Sequence, residues 1–316
     1  MNLIALLIGL VVERLATQLF HWRRMRWLDR IIDKGFALAE RFSGVPALIA
    51  IVLLVLLLVL PVYAVIIALG GKVVGFTYLL LAVVVLFFSF GPHDIGEDVD
   101  EYCKALESEN NEDILQASKA IVEGDLPEDP LALIQRVEQS VCVQANNRLF
   151  AVIFWFVVLG LWFGGQGPLA ALGPLAAWAY RVTDLIRRRA VFNAARSESE
   201  NDNAFRVRDA AVMLHGWLAW IPARLTAVGY ATAGHFDEAI AAMRAPDEQR
   251  EASTSEQNES LLARVGVAAL ALQEDADESI TARGVRGAAA ANRLVVRLLL
   301  IWAVVISAMT LYGFTQ

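Results

Sequence analysis

Arg224 stands inside "LAWIPARLTAVGYATAGH" (Leu218 to His235), a stretch otherwise apolar enough to touch lipid. On a helix, Trp217, Trp220, Arg224, Val228, Ala231 and His235 share one face at spacings of three and four, and Asp209 and Met213 extend that line upstream. Two chemistries fit this pattern. An interfacial helix would set its indole rings at headgroup depth and let the guanidinium reach water or phosphate. Alternatively, Arg224 faces inward and pairs with a carboxylate such as Glu13 or Asp184, because a charge at mid-bilayer costs roughly 3 kcal/mol or more and is usually partnered. Pro222 removes one backbone hydrogen bond and biases Ile221 away from helical geometry, so a kink or a fresh helix start is expected there.

Other charged groups have the same double reading. Glu13 and Arg14 interrupt an apolar N-terminal segment, either as a solvated helix end or as a buried pair facing a polar cavity. Arg181 and Asp184 follow Tyr180 at i, i+3 spacing, as a surface pair worth roughly a few tenths of a kcal/mol or as a cap on that cavity from the cytoplasmic side. His235 follows Gly234 at an expected helix C-terminus, where the dipole favours imidazolium, and His21 beside Trp22 reads as interfacial. The candidate ligand-binding set is therefore Glu13, Arg181, Asp184, Trp220, Arg224 and His235. No catalytic residue is assigned, since no Ser/His/Asp order or Cys/His pair stands out. "GGQGP" lacks the Lys-Ser/Thr and the preceding strand of a phosphate loop and reads as an external turn; "GVRGAAAANR" lacks nucleotide-loop spacing. Four histidines and two cysteines, Cys103 and Cys142, form no cluster at ligand spacing, so neither a metal nor a cofactor is expected. A disulfide is not expected either, because the region carrying both thiols reads as cytosolic.

The elements that must hold these residues are membrane helices. Hydrophobic residues make up 57% of the 316 and charged residues only 19%, with a mean hydropathy of +0.51, which belongs to a membrane protein with modest soluble parts. Val45 to Leu69 and Val73 to Phe90 are back-to-back apolar runs joined through "GGK", a link so short that they must be antiparallel neighbours. Leu149 to Phe163 and the run ending at Tyr180 flank "GGQGP", as two tilted helices or a re-entrant pair. Leu294 to Phe314 is a span with Arg297 snorkelling near its start. Leu3 to Trp22 reads as a retained segment rather than a signal peptide, long enough to cross with a charged pair inside.

Basic clusters after the first segment, at Arg187 to Arg189 and before the last span place those loops in the cytoplasm and both termini outside. The organisation expected is 1–90 N-terminal membrane segments with a basic loop, 91–148 an acidic cytoplasmic helical module, 149–186 a membrane hairpin, 187–292 an amphipathic cytoplasmic or interfacial helical region, and 293–316 a C-terminal span. The fold class is an all-α, multi-pass integral membrane protein of about six segments, with cytoplasmic helical regions. From Asp94 to Arg148 there are 14 Asp/Glu against 4 Lys/Arg, on three short helices whose apolar face includes Ile114, Ala117 and Ile121. The partners expected are the lipid bilayer and a cytosolic protein meeting this acidic module. A net charge of −7 excludes nucleic acid, whose phosphates need a basic field.

Several segments, in order, resemble a known family. "WIPARLTA" (Trp220 to Ala227) resembles the W-[IV]-P-x-R-L segment shared by AmpE inner-membrane proteins and the cobinamide-phosphate synthases. "VVERL", "HW" at His21 and Trp22, "RLFAVIFWFVVLG", "YATAGH" and "TLYG" are similar to the AmpE side, running from Val11 to Gly313. Ala219 stands where related proteins tend to carry Asp or Asn, and the synthases' N-terminal Gly-Asp-Pro and His-Pro-Val elements are not found here. The resemblance implies a regulatory or sensory protein of the bacterial inner membrane, tied to β-lactamase induction and cell-wall recycling signals; the charged residues add the expectation of a polar pocket, built by Glu13, Arg181, Asp184, Trp220 and Arg224, for a ligand or lipid headgroup. The alternative it implies is a membrane-bound, amide-forming transferase or ligase; the sequence leans away from an enzyme without deciding.

Overall fold

Four helix starts in this chain coincide with side-chain acceptors. The computed structural model describes residues 5–9, 25–69, 76–91, 94–162, 171–196, 203–246, 252–273 and 277–311, and every regular element among them is helical. In order these are α1 (Arg26–Ala39), α2 (Val45–Leu69), α3 (Phe76–Ser89), α4 (Ile95–Ser108), α5 (Asn111–Ile121) and α6 (Pro130–Ala145). A π-helical turn (Asn146–Phe150) follows, then α7 (Ala151–Trp162), α8 (Leu172–Ala195), α9 (Asn203–Ala233), α10 (Phe236–Arg244), α11 (Thr254–Leu270) and α12 (Ile280–Leu311). Asp94, Asn110 and Asp129 each accept an early backbone N–H, at 2.9, 3.0 and 2.8 Å. Ser253 and Glu256 close a capping box at the start of α11. Glu97, Asp98, Glu112 and Asp113 sit in first turns, where the helix dipole favours carboxylates, so part of the acidity of this region serves helix starts.

Among the described residues, three helices are long and apolar enough to cross a membrane: Val45–Leu69, Pro130–Gly160 and Ile280–Met309, with Phe76–Ser89 a shorter apolar helix. The outer side of α2 leaves Val45, Ile49, Leu53, Leu56 and Leu60 more than half exposed, as a lipid-facing surface requires. The Pro130–Gly160 helix, by contrast, is mostly buried.

The apolar block beginning at Leu149 is not a separate element. Helix α6 runs through the π turn into α7 without a break, so one helix joins the acidic segment to the apolar one. Ala151 N–H reaches back five residues to the Asn146 carbonyl, which marks the wider turn. The halves flanking "GGQGP" are α7 and α8, which pack side by side.

Helices α4–α6 share one hydrophobic core with the C-terminal half of α9, α11 and α12, through Tyr102, Val137, Cys142, Tyr230, Val265 and Leu298. Within α5, Ala117 and Ile121 are buried as the apolar stripe requires, Ile114 is half-buried, and Leu115 faces solvent. A second core joins α1, α2 and α8 to the start of α9, and a third joins α3, α7, α8 and α12.

Pro222 neither breaks α9 nor starts a new helix; α9 is continuous from Asn203 to Ala233. A proline leaves the carbonyl four residues earlier without its helical donor. Here that carbonyl is Leu218 O, and it accepts the Trp155 indole N–H at 3.2 Å. At Pro61 in α2 the neighbouring Leu58 carbonyl accepts from Trp178 Nε1 at 3.1 Å. At Pro222 the tryptophan of an adjoining helix thus satisfies the carbonyl that the proline frees, and near Pro61 a second tryptophan bonds the carbonyl three residues before it.

Candidate functional site

Asp184, on α8, is shut off from solvent and surrounded by arginines of its own helix. Arg181 Nη1 donates to its Oδ2 at 2.8 Å, Arg188 Nε to the same oxygen at 2.9 Å, and Arg187 Nη2 to Oδ1 at 3.1 Å. Spacings of three and four along a helix put all four residues on one face. Arg187 also reaches Glu123, beyond the end of α5, at 2.9 Å and Glu259 on α11 at 3.3 Å. Arg188 reaches Glu123 at 3.0 Å and the Gln144 amide oxygen at 2.7 Å.

The π turn supplies the other end of this network. Asn146, Asn147 and Arg148 are consecutive and all buried. Arg148 donates to Gln144 at 2.9 Å, to Asp98 at 2.7 Å and to the Ala120 carbonyl at 2.8 Å. Asn146 accepts from Thr226 of α9 at 3.0 Å. Four guanidiniums (Arg148, Arg181, Arg187, Arg188) thus meet four carboxylates (Asp98, Glu123, Asp184, Glu259), and formal charge cancels. That balance is what makes such a cluster tolerable away from water.

The electrostatics follow from these distances. Burial alone would raise the Glu123 carboxyl, but Arg187 and Arg188 outweigh it and hold the group down at about 2. For Glu259, withdrawal from water wins over its one longer contact with Arg187, and its pKa is raised. His215 of α9, buried beside Asp184 at 3.8 Å, is pushed down to about 3 by burial and then by Arg187, so it is neutral at physiological pH. Its ring shares hydrogen bonds of 3.3 Å with both Tyr180 OH and Ser255 Oγ, which ties α8, α9 and α11 together.

A polar cleft of about 370 Å³ opens on the outer side of this network, between α6 and α11. Glu123, Gln144 and Glu259 form its inner wall, with Arg136, Glu256 and Arg264 further out. Carboxylates and guanidiniums both line it, so it suits a small polar ligand with an ammonium or hydroxyl group better than an apolar one.

The predicted site residues divide among different places. Arg181 and Asp184 are brought together as the buried core of the network, and the reading of them as a surface pair is overturned. Trp220 and Arg224 are brought together elsewhere, with the guanidinium 3.9 Å from the indole centroid. Arg224 pairs neither with Asp184 nor with any other carboxylate among the described residues. Its Nη1 donates to Asn258 Oδ1 and to the Trp220 carbonyl, both at 3.0 Å. His235 lies apart, on a separate cavity of about 300 Å³ with Arg293 and Arg297. Rather than capping α9 it is the residue preceding α10; its backbone N–H donates to Ala269 O at 2.8 Å and its ring is 4.0 Å from Glu238. Glu13, Arg14 and His21 lie outside the described residues, as do "GGK" and "GGQGP".

Several residues of the buried network were not evident from sequence. Arg187 and Arg188 belong to "RRR", which reads as a topology signal; only their i+3 and i+4 relation to Asp184 indicates pairing. Asp98 and Glu123 are hidden among the other acids of their segment. Gln144 and Arg148, four apart where the polar sequence gives way to apolar, carry a usable signal: polar side chains entering a buried helix need partners.

No curated protein and no solved structure matches the chain. A family model described as "Regulatory signalling modulator protein AmpE" matches residues 1–315, essentially the whole length. With its membrane-length helices and that match, this chain is a membrane protein and belongs to the AmpE family.

Proposed function

We propose that this protein is a sensory and regulatory component of the bacterial inner membrane, linked to β-lactamase induction and cell-wall recycling signalling. In this reading a small polar ligand enters the α6–α11 cleft and is read by the buried charges around Asp184. The observation that carries it is the sharing of Arg187 among Asp184, Glu123 and Glu259. Two of these carboxylates line the cleft, and the third lies at the heart of α8. A ligand that engages Glu259 changes the charge balance at Arg187, and a buried charge must regain a partner. Helix α8 then shifts relative to α5 and α11, since those are the elements the network joins. Exposed carboxylates on α4 and α5 (Glu101, Glu107, Glu112, Asp113) offer a face for a basic cytosolic partner.

The experiment is inducible β-lactamase activity in a host whose own copy has been replaced by full-length variants, with protein in the membrane fraction quantified alongside. Glu259→Gln, at the inner wall, and Glu256→Gln, at the rim, are expected to alter induction at unchanged membrane abundance. Wild-type induction by both variants at equal abundance overturns the reading.

A further inference from the structure

The outer face of α9 stands apart from the cleft and has its own chemistry. Trp217, Trp220, Ile221, Leu225 and Val228 are between 45% and 54% exposed, whereas Ala219, Ala223, Thr226, Ala227 and Tyr230 on the opposite face are essentially fully buried. From Trp217 to Val228 this apolar surface is about 17 Å long at 1.5 Å per residue. Exposed Arg206 and Asp209 precede it, and Thr232 and His235 follow it. A crossing of the hydrocarbon core needs about 30 Å, so the stripe is too short to span and fits a helix lying along the membrane surface. Polar groups lie behind it: Asn258 of α11 donates to Gly216 O at 3.0 Å, and Ser255 meets His215. One side of α9 is therefore apolar and uncovered while the other closes over the charged network.

Arg224 sits within this stripe, held on three sides. The Trp220 ring, the Trp220 carbonyl and the Asn258 amide fix its plane. Its Nε and Nη2 carry no hydrogen bond among the described residues, and no carboxylate there neutralises it. A guanidinium oriented in advance, with one edge open and no counter-charge, fits a phosphate oxygen pair. Apolar side chains on both sides of it specify that the phosphate belongs to a lipid.

We infer that the outer face of α9 from Trp217 to Val228 docks on the bilayer and that Arg224 binds the phosphate of an anionic phospholipid headgroup.

The test uses the full-length protein in nanodiscs of phosphatidylcholine containing increasing brominated phosphatidylglycerol or, separately, brominated phosphatidylcholine. The fluorescence of the stripe is the difference between wild type and the Trp217→Phe/Trp220→Phe double variant. Quenching is expected at about fivefold lower mole fraction of the brominated anionic lipid, the enrichment one cation near a membrane surface gives. Arg224→Gln is expected to abolish this preference and Arg224→Lys to keep part of it, with unchanged helical content by circular dichroism. Soluble glycerol phosphate in excess is expected to leave the preference intact; if it abolishes the preference, the site takes free phosphate and the lipid assignment is overturned. Equal quenching by both lipids, unaffected by Arg224→Gln, overturns the headgroup site. Quenching by neither lipid shows that the stripe meets water or a second copy, and overturns the docking surface as a whole.

Discussion

Asp184 shows how little of a buried charge can be read from its neighbours in sequence. Its i, i+3 pairing with Arg181 was legible, but spacing alone cannot distinguish a solvated pair from a buried one, because the difference depends on what covers α8. The covering groups, Glu123, Glu259 and His215, come from residues tens of positions away. Removing the charge leaves three guanidiniums short of an acceptor. Asp184→Asn is therefore expected to destabilise the folded protein by about 3–5 kcal/mol, read as a lowered denaturation midpoint in detergent, with Asp184→Glu recovering part. His215 gives a pH dependence with a definite sign. Its folded pKa lies near 3 and its ordinary value is 6.5, so the unfolded chain takes up the proton first. The stability held by neutral His215 is fully present above its ordinary value and is lost progressively as pH falls toward its folded one. Glu259, with a raised pKa, works in the opposite direction at the acid end of this range. The comparison that isolates the histidine is His215→Gln, expected to flatten the fall in melting temperature between neutral and mildly acidic pH.

At the scale of elements, the chain announces its helices well and their continuity poorly. Asp129 followed by Pro130, and Ser253 followed by Glu256, mark starts that the structure keeps. Pro222 was the misleading signal, since a proline argues for a break unless something else satisfies the freed carbonyl. That something is Trp155, 63 residues away along the chain. The two residues should therefore be coupled. Trp155→Phe is expected to cost about 1–3 kcal/mol, the penalty for a buried acceptor left unmade. In a Pro222→Ala background, where the restored backbone N–H can bond Leu218 O, the same change should cost clearly less. A double-mutant cycle on thermal unfolding measures the difference, and equal costs in both backgrounds would remove the link. Close packing of α9 on α11 was equally hidden. A Cβ at Gly216 would lie 2.7 Å from Ser255 N, so Gly216→Ala is expected to force the helices apart and cost about 1–3 kcal/mol. Melting temperature checks it.

For the whole molecule, composition and apolar run length established an all-helical membrane protein, because the bilayer sets the length of a span almost independently of sequence detail. The division into modules was harder to read, since acidic and apolar stretches differ in composition yet are joined by a helix running straight through both. Orientation rests on arginine-rich ends. A reporter fused after Gln316 is expected to be active outside the cytoplasm, and one inserted at the exposed Glu109 turn active inside; the reverse pattern would invert the arrangement.

The π turn between Asn146 and Phe150 has a consequence for how the chain tolerates length changes. A single widened turn holds one residue beyond what an α-helix uses over the same arc. Excising one residue there lets the backbone relax to ordinary pitch while the flanking halves keep their angular phase. A deletion anywhere else between Pro130 and Trp162 would swing everything downstream by about 100°, turning buried side chains out of their packing. This helix therefore has one place that can absorb a lost codon, and it is where the polar interior meets the oily one.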